Sequence, residues 1–173
     1  ATFLALALSA CATAAPAPES AFFARLSTLC GQSFAGRVVS TDAVDAAIAS
    51  ETLVMNVRDC SAGEIRIPFN VGDNRSRTWV ITRTDSGLRL KHDHRHEDGS
   101  EDALTQYGGD TVDAGSALRQ QFPADAFSKA MFTRNNSLAA VDNVWAMEIE
   151  PGAVFAYELS RPNRLFRVEF DLS

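Results

Sequence analysis

Features typical of catalysis or nucleic-acid binding are scarce in this chain. Its 16 lysines and arginines are interspersed among 22 acidic residues, which leaves a net charge of -6 and no basic cluster. A nucleic-acid partner is therefore not expected. The sequence also lacks a Gly-x-Ser-x-Gly elbow, a phosphate-binding loop and a dinucleotide fingerprint. These absences favour a protein that is not an enzyme.

Long apolar runs are missing as well, and the apolar run at the start of the chain is short. Ala1–Ala10 consists of small and apolar residues and is too short to span a bilayer. Such a run is typical of the core of a secretory signal. It leads into Leu8-Ser9-Ala10-Cys11, which resembles the bacterial lipoprotein signal motif and implies lipidation of Cys11. Cleavage after Ala12-Thr13-Ala14 or Ala15-Pro16-Ala17 is the alternative.

The N-terminal pattern predicts the organisation and the location of the protein. We expect a signal peptide over residues 1–11, an Ala/Pro-rich linker over 12–19 and a single domain over 20–173. A domain of that length can bury one sizeable core. The predicted location is the periplasm of a Gram-negative bacterium, with the lipid attaching the protein to the outer membrane. This anchor is the only membrane contact that we expect.

Cysteines are few, and their number fits an exported protein. If Cys11 carries a lipid, Cys30 and Cys60 remain as a pair in an oxidising compartment. Cys30 precedes the first predicted strand and Cys60 ends the second, so antiparallel strands bring the two cysteines to the same end. We predict a disulfide between them, worth about 3–4 kcal/mol in the chain-entropy model. The alternative is two unrelated buried thiols.

Apolar and polar residues alternate with a period of two through most of the domain, which predicts β-strands. In Glu64–Val71, for example, Ile65, Ile67 and Phe69 alternate with polar residues and Pro68. Such alternation is typical of antiparallel sheets that bury one face. The other strands are expected at 33–40, 52–60, 77–84, 88–96, 103–107, 117–122, 141–150, 153–160 and 164–172.

Helical patterns are short and few, at 20–29, 41–50 and 123–132. We therefore predict an all-β fold, an antiparallel up-and-down β-barrel of about eight to ten strands with a short N-terminal helix and one or two other short helices. Closure into a barrel removes exposed sheet edges, and the connections resemble hairpins. A β-sandwich is the alternative.

The three histidines all lie on the predicted strand at 88–96. His92, His94 and His96 continue the face of Leu88 and Leu90, because alternate residues of a strand share a face. The imidazoles are therefore expected to point toward the interior or its rim. This row is the strongest candidate for a functional site.

Asp85-Ser86-Gly87 predicts a hairpin between this strand and the preceding one. A two-residue loop pairs Trp79 with His92 and Arg77 with His94, which makes an aromatic and cationic wall beside the histidines. A three-residue loop shifts the register and gives a more neutral wall. The sequence leaves both registers open.

Metal binding is one interpretation of the histidine row, with zinc or copper as the cofactor. Alternate strand residues lie about 6.5–7 Å apart, so two neighbouring imidazoles reach one ion. His92 with His94, or His94 with His96, are the candidate pairs, completed by ligands from elsewhere. The alternatives are a polar wall for an organic ligand, or purely structural and solvent-facing roles.

The segment Leu90-Lys91-His92-Asp93-His94-Arg95-His96-Glu97-Asp98-Gly99, together with Tyr107-Gly108-Gly109 and Asn143-Val144-Trp145, resembles a family of uncharacterised exported bacterial proteins. That resemblance implies no activity. The layout is also similar to calycin-type barrels, the class of the lipocalins and fatty-acid-binding proteins. Within the second of these segments we expect Tyr107-Gly108-Gly109 to form a turn.

Three functional hypotheses follow. The first is a periplasmic or membrane-tethered binding protein that holds a small apolar or amphipathic ligand. The second is a zinc- or copper-binding protein that uses the histidine row. The third is an envelope protein with a filled core that serves a structural or partner-binding role. For the first hypothesis the expected ligand-binding residues are His92, His94, Trp79, Arg77, Leu90, Trp145 and Phe166.

Overall fold

The computed structural model describes residues 15–173. The predicted signal peptide, Cys11 and the first part of the linker lie outside these residues. Helix α1 begins at Pro18, two residues before the predicted start of the domain. The other helices are α2 (Ala46–Ala49), preceded by a 3-10 turn over Ala43–Asp45, and α3 (Ala126–Arg134), followed by a 3-10 turn over Leu138–Asp142.

Ten antiparallel strands form one sheet that curls into a nearly closed barrel, as the alternation predicts. Each strand except β7 pairs with the strand before it in sequence, and β10 also pairs with β1. The strands are β1 (Ser33–Val38), β2 (Leu53–Asn56), β3 (Glu64–Val71), β4 (Asn74–Thr84), β5 (Gly87–His94), β6 (Tyr107–Asp110), β7 (Arg119–Pro123), β8 (Val144–Glu150), β9 (Val154–Arg161) and β10 (Arg164–Asp171).

The barrel closes between β6 and β7, where helix α3 replaces the missing ladder. The hydroxyl of Ser128 accepts a hydrogen bond from Gly108 N at 2.8 Å and donates one to Gly108 O at 2.9 Å. Asp125 N also donates to Gly108 O at 2.9 Å. A Cβ on Gly109 would lie 1.8 Å from Pro123 O. The two strands approach this closely because Gly109 has no side chain.

At the junction of β6 and β7, which we call the seam, the structure differs from two predictions. The strand expected at 103–107 lies instead at Tyr107–Asp110, and Gly108-Gly109 is part of a strand and not a turn. Glycines weaken a strand in isolation, so the sequence pattern favours a turn there. In the barrel they are required, since a Cβ on Gly108 would lie 1.9 Å from Leu90 O.

Helix α1 plugs one end of the barrel. Its Phe22, Phe23 and Leu26 are buried in the core cluster, and Arg83 at the β4–β5 hairpin lies over the Phe23 ring. The predicted disulfide between Cys30 and Cys60 is confirmed, with the two Cα atoms 6.4 Å apart, and it holds the end of α1 to the β2–β3 connection. No helix in residues 15–173 has the length and apolar character needed to cross a bilayer.

The opposite end, which we call the mouth, is covered by the segment 43–49 between β1 and β2. Asp42 begins this segment by capping Val44 N, as its position before the helical pattern predicts. Most of its side chains are exposed, but Asp45 is buried and Ile48 packs against the core cluster. We call this segment the lid, because it is a short cover held to the barrel by few side chains.

Candidate functional site

The β4–β5 hairpin places the histidine row beside an aromatic and a cationic residue. Its loop consists of the two residues Asp85 and Ser86, so Trp79 pairs with His92 and Arg77 with His94. The first of the two registers left open by the sequence is therefore the observed one. The side chains of these four residues all reach the same cavity at the mouth.

The cavity lies under the lid and has a volume of about 210 Å³. Water occupies about 30 Å³ per molecule in the liquid, so the space corresponds to roughly seven waters. It is smaller than most drug-sized ligand pockets, which begin at about 300 Å³. Its wall combines apolar and aromatic side chains with a few polar groups: Asp45, Ile48, Phe69, Arg77, Trp79, His92, His94, Tyr107, Tyr157, Leu159, Arg164 and Phe166.

Three stacked rings form an aromatic floor to this cavity. Trp79 lies between Phe69 and Tyr157, with ring centroids 4.7 and 4.4 Å away and both interplanar angles at 17°. Below this floor the barrel is filled by residues such as Phe155 and Phe170, which are fully buried. The free space is therefore confined to the mouth and does not continue through the barrel.

His92 is held in one tautomer by two hydrogen bonds. Its Nδ1 lies 3.1 Å from Tyr107 O, and a carbonyl only accepts, so Nδ1 carries the proton. Nε2 is then the acceptor for the Tyr157 hydroxyl at 2.7 Å. Burial lowers the pKa of His92 to about 3 and raises the pKa of Tyr157 well above its usual value. Both groups are therefore neutral at physiological pH.

His94 and Tyr107 form a second pair on the same wall. The Tyr107 hydroxyl lies 3.2 Å from His94 Nε2, and the Tyr107 ring stacks on His92 at 4.4 Å. Burial, together with the charge of Arg77, lowers the pKa of His94. Burial raises the pKa of Tyr107 to about 12. The two histidine–tyrosine pairs thus line the cavity without adding charge to it.

The two arginines of the cavity differ in their partners. Arg164 donates from Nη1 to Asp45 Oδ2 at 2.8 Å, makes a second bond from Nη2 to Asp45 Oδ1, and lies 3.4 Å from Asp42. Arg77 Nη1 is buried and has no hydrogen-bond partner among residues 15–173. None of the ion pairs within that range includes Arg77.

Five of the seven predicted ligand-binding residues therefore come together in the cavity wall: Arg77, Trp79, His92, His94 and Phe166. Leu90 and Trp145 are fully buried in the core and do not line it. His96 lies beyond the end of β5, is exposed, and borders a separate polar cleft with Asp73, Asn74 and Arg75. The histidine row is thus divided between the cavity and the surface.

Metal ligation by His92, His94 and His96 remains a prediction. Within residues 15–173 no group of three or more histidine, cysteine, aspartate or glutamate side chains is arranged to hold a metal ion. Both ring nitrogens of His92 already take part in hydrogen bonds, so ligation there would have to break one of them.

Sequence reasoning missed several cavity residues. Tyr157 alternates with Phe155 and Leu159, and this signal marks it as inward-facing, but its hydroxyl partner lies on another strand. Asp45 and Arg164 are separated by 119 positions, and no local pattern connects them. They meet because the lid folds back over the β9–β10 hairpin.

Comparison with known proteins adds no further information about this site. No protein-family model, no curated protein and no solved structure matches the chain.

Proposed function

We propose that this protein is an exported binding protein that holds one small amphipathic molecule in the cavity at the mouth of its barrel. The observation that carries the proposal is a cavity at the mouth whose wall is chemically mixed. Trp79, Phe69 and Phe166 supply apolar surface, while Arg77 and the His94–Tyr107 pair supply hydrogen-bonding groups. Binding pockets typically combine such an apolar lining with a few polar groups that orient the ligand.

The filled interior limits the ligand to the mouth. An envelope protein that served only a structural role would need no cavity lined by two tyrosines, two histidines and an arginine whose Nη1 is buried. The Cys30–Cys60 disulfide supports an oxidising compartment such as the periplasm. In this proposal the lipid at Cys11 tethers the barrel to the outer membrane, and the ligand reaches the cavity from the side of the lid.

Calorimetric titration of the full chain with p-cresol, a neutral single-ring amphipathic molecule, tests the proposal. We expect saturable binding to the wild type that Leu159→Trp weakens at least tenfold, because the larger side chain fills the cavity from β9. Ile48→Trp fills the same space from the lid and is the second variant. The matched control is Leu165→Trp, since Leu165 is 49% exposed and lies outside the cavity.

Two results would contradict the proposal. One is the absence of saturable binding of p-cresol and of other single-ring molecules by a folded wild-type protein. The other is equal binding by the wild type and by folded Leu159→Trp and Ile48→Trp, because the cavity would then not be the binding site. Circular dichroism verifies that each variant is folded.

A further inference from the structure

We infer that the ligand of this cavity is a small monoanion, a single-ring or short-chain carboxylate whose negative charge pairs with Arg77. This inference rests on the proposed function and specifies the chemical class of the ligand. It depends on three observations: a buried Nη1 of Arg77 without a partner, the absence among residues 15–173 of any other charged side chain in the cavity wall that lacks an ion-pair partner, and the small volume.

The guanidinium of Arg77 is the first observation. Its Nη1 is buried and donates to no acceptor of residues 15–173. A buried donor without a partner costs about 1–3 kcal/mol, and more when it is charged. Buried polar groups are almost always satisfied in folded proteins, so the unsatisfied Nη1 of Arg77 in a cavity wall calls for a partner from outside the chain.

The charge balance of the wall is the second observation. Asp45 and Arg164 neutralise one another in a two-bond ion pair, and both histidines and both tyrosines are neutral. Glu51 and Asp73 line an adjacent open cleft that Arg77 also borders, yet neither forms an ion pair with it within the described chain.

One positive charge in the cavity is therefore uncompensated. A monoanion neutralises it, whereas a dianion would leave a net negative charge in a partly buried space.

The geometry of the wall favours a carboxylate over other monoanions. A guanidinium presents its N–H groups as a planar fork that matches the two oxygens of a carboxylate. The His94–Tyr107 pair lies on the same wall, and the one N–H or O–H proton not used in the bond between them can be donated to an oxygen of such a group. Opposite these donors, the edge of the aromatic floor and Phe166 provide an apolar surface for the rest of the ligand.

The volume is the third observation, and it limits the apolar part of the ligand. A space of about 210 Å³ above a closed aromatic floor accommodates a single ring or a short chain. A long acyl chain that extended into the barrel would have to displace Trp79 or Tyr157, which are stacked on each other and buried. A chain that extended out of the mouth would leave its apolar surface in water. The cavity therefore discriminates against long-chain fatty acids even though they carry the same carboxylate.

The experiment compares benzoate with benzamide, which has nearly the same shape but no charge, in calorimetric titrations of the full chain at pH 7. We expect benzoate to bind the wild type at least tenfold more tightly than benzamide. Arg77→Gln should bind both probes equally, and Arg77→Lys should keep part of the preference because it keeps the charge. The control is Arg37→Gln, since the Arg37 side chain is 79% exposed on the outside of the barrel.

Hexadecanoate tests the size limit, and we expect it not to compete with benzoate. Equal affinities of the wild type for benzoate and benzamide would overturn the inference and leave the proposed function intact. A benzoate preference that persists in Arg77→Gln would also overturn it. Failure of p-cresol, benzoate and benzamide to bind would instead overturn the proposed function, so the two failures are distinguishable.

Discussion

The Tyr157 hydroxyl donates a hydrogen bond to Nε2 of His92 from the opposite wall of the barrel, over 2.7 Å. Protonation of His92 would remove the lone pair that accepts this bond. It would also place a charge among the fully buried aromatic rings of the core. The neutral imidazole is thus part of what holds the two walls together, and the stability of the barrel depends on it.

Acidification from pH 7 to pH 5 is expected to destabilise the protein through His92. Its pKa is about 3 in the folded protein and about 6.5 in an unfolded chain. Between these values the unfolded chain binds a proton that the folded protein does not, so the free energy of unfolding decreases as the pH falls. For one histidine the decrease reaches about 1.4 kcal/mol per pH unit. Urea unfolding at pH 7, 6 and 5 measures it.

The variants that test this explanation are His92→Gln and His96→Gln. His92→Gln removes the group that titrates, so its unfolding free energy should fall less steeply with pH than that of the wild type. His96 is exposed, and His96→Gln should keep the wild-type slope. The lowered pKa of His94 adds a smaller slope in the same direction. Identical slopes for His92→Gln and the wild type would contradict the prediction.

Gly109→Ala is expected to destabilise the barrel by about 3 kcal/mol or more, because the new methyl group would collide with the backbone of β7 at the seam. Gly63→Ala is the matched control, since a Cβ there meets nothing within 4 Å, and its effect should stay within about 0.5 kcal/mol. Chemical denaturation measures both. A loss below about 1 kcal/mol for Gly109→Ala would mean that the strands separate easily at the seam.

Replacing Cys30 and Cys60 together by serine is expected to reduce the free energy of unfolding by about 3–4 kcal/mol, since the bridge closes a loop with a sequence separation of 30. The midpoint of urea unfolding measures this loss. The bridge lies at the plugged end of the barrel, so p-cresol binding to the folded variant should not change. Weakened binding would show that the two ends of the barrel are coupled.

Asp45→Asn is expected to loosen the lid. It removes the charge that pairs with Arg164 and leaves only Ile48 and the more exposed Asp42 to hold the lid. Hydrogen exchange of the amides in residues 43–50 should accelerate at least tenfold, while that of β4 and β5 stays unchanged. Glu51→Gln, which changes an exposed residue just after the lid, is the control. Unchanged exchange in Asp45→Asn would show that the ion pair does not hold the lid.

The sequence predicts most of this fold because apolar alternation marks most of the strands. It fails at β6, where Tyr107 is followed by two glycines that leave no alternating signal, although the segment pairs with β5. The β4–β5 register depends on a short loop, so the pairing of Trp79 with His92 is within reach of sequence reasoning. The ion pair of Asp45 with Arg164 cannot be predicted from the sequence, because it depends on how the lid folds back over a distant hairpin.

The pairing of β1 with β10 has a consequence for how the chain matures. Every other ladder in residues 15–173 joins strands that are neighbours in sequence, and such local pairs can form early in folding. The last ladder requires residues 164–171, so a chain still being synthesised carries two unsatisfied edges until its final segment emerges. We therefore expect truncation before Arg164 to yield a species prone to aggregation, with the mouth unformed.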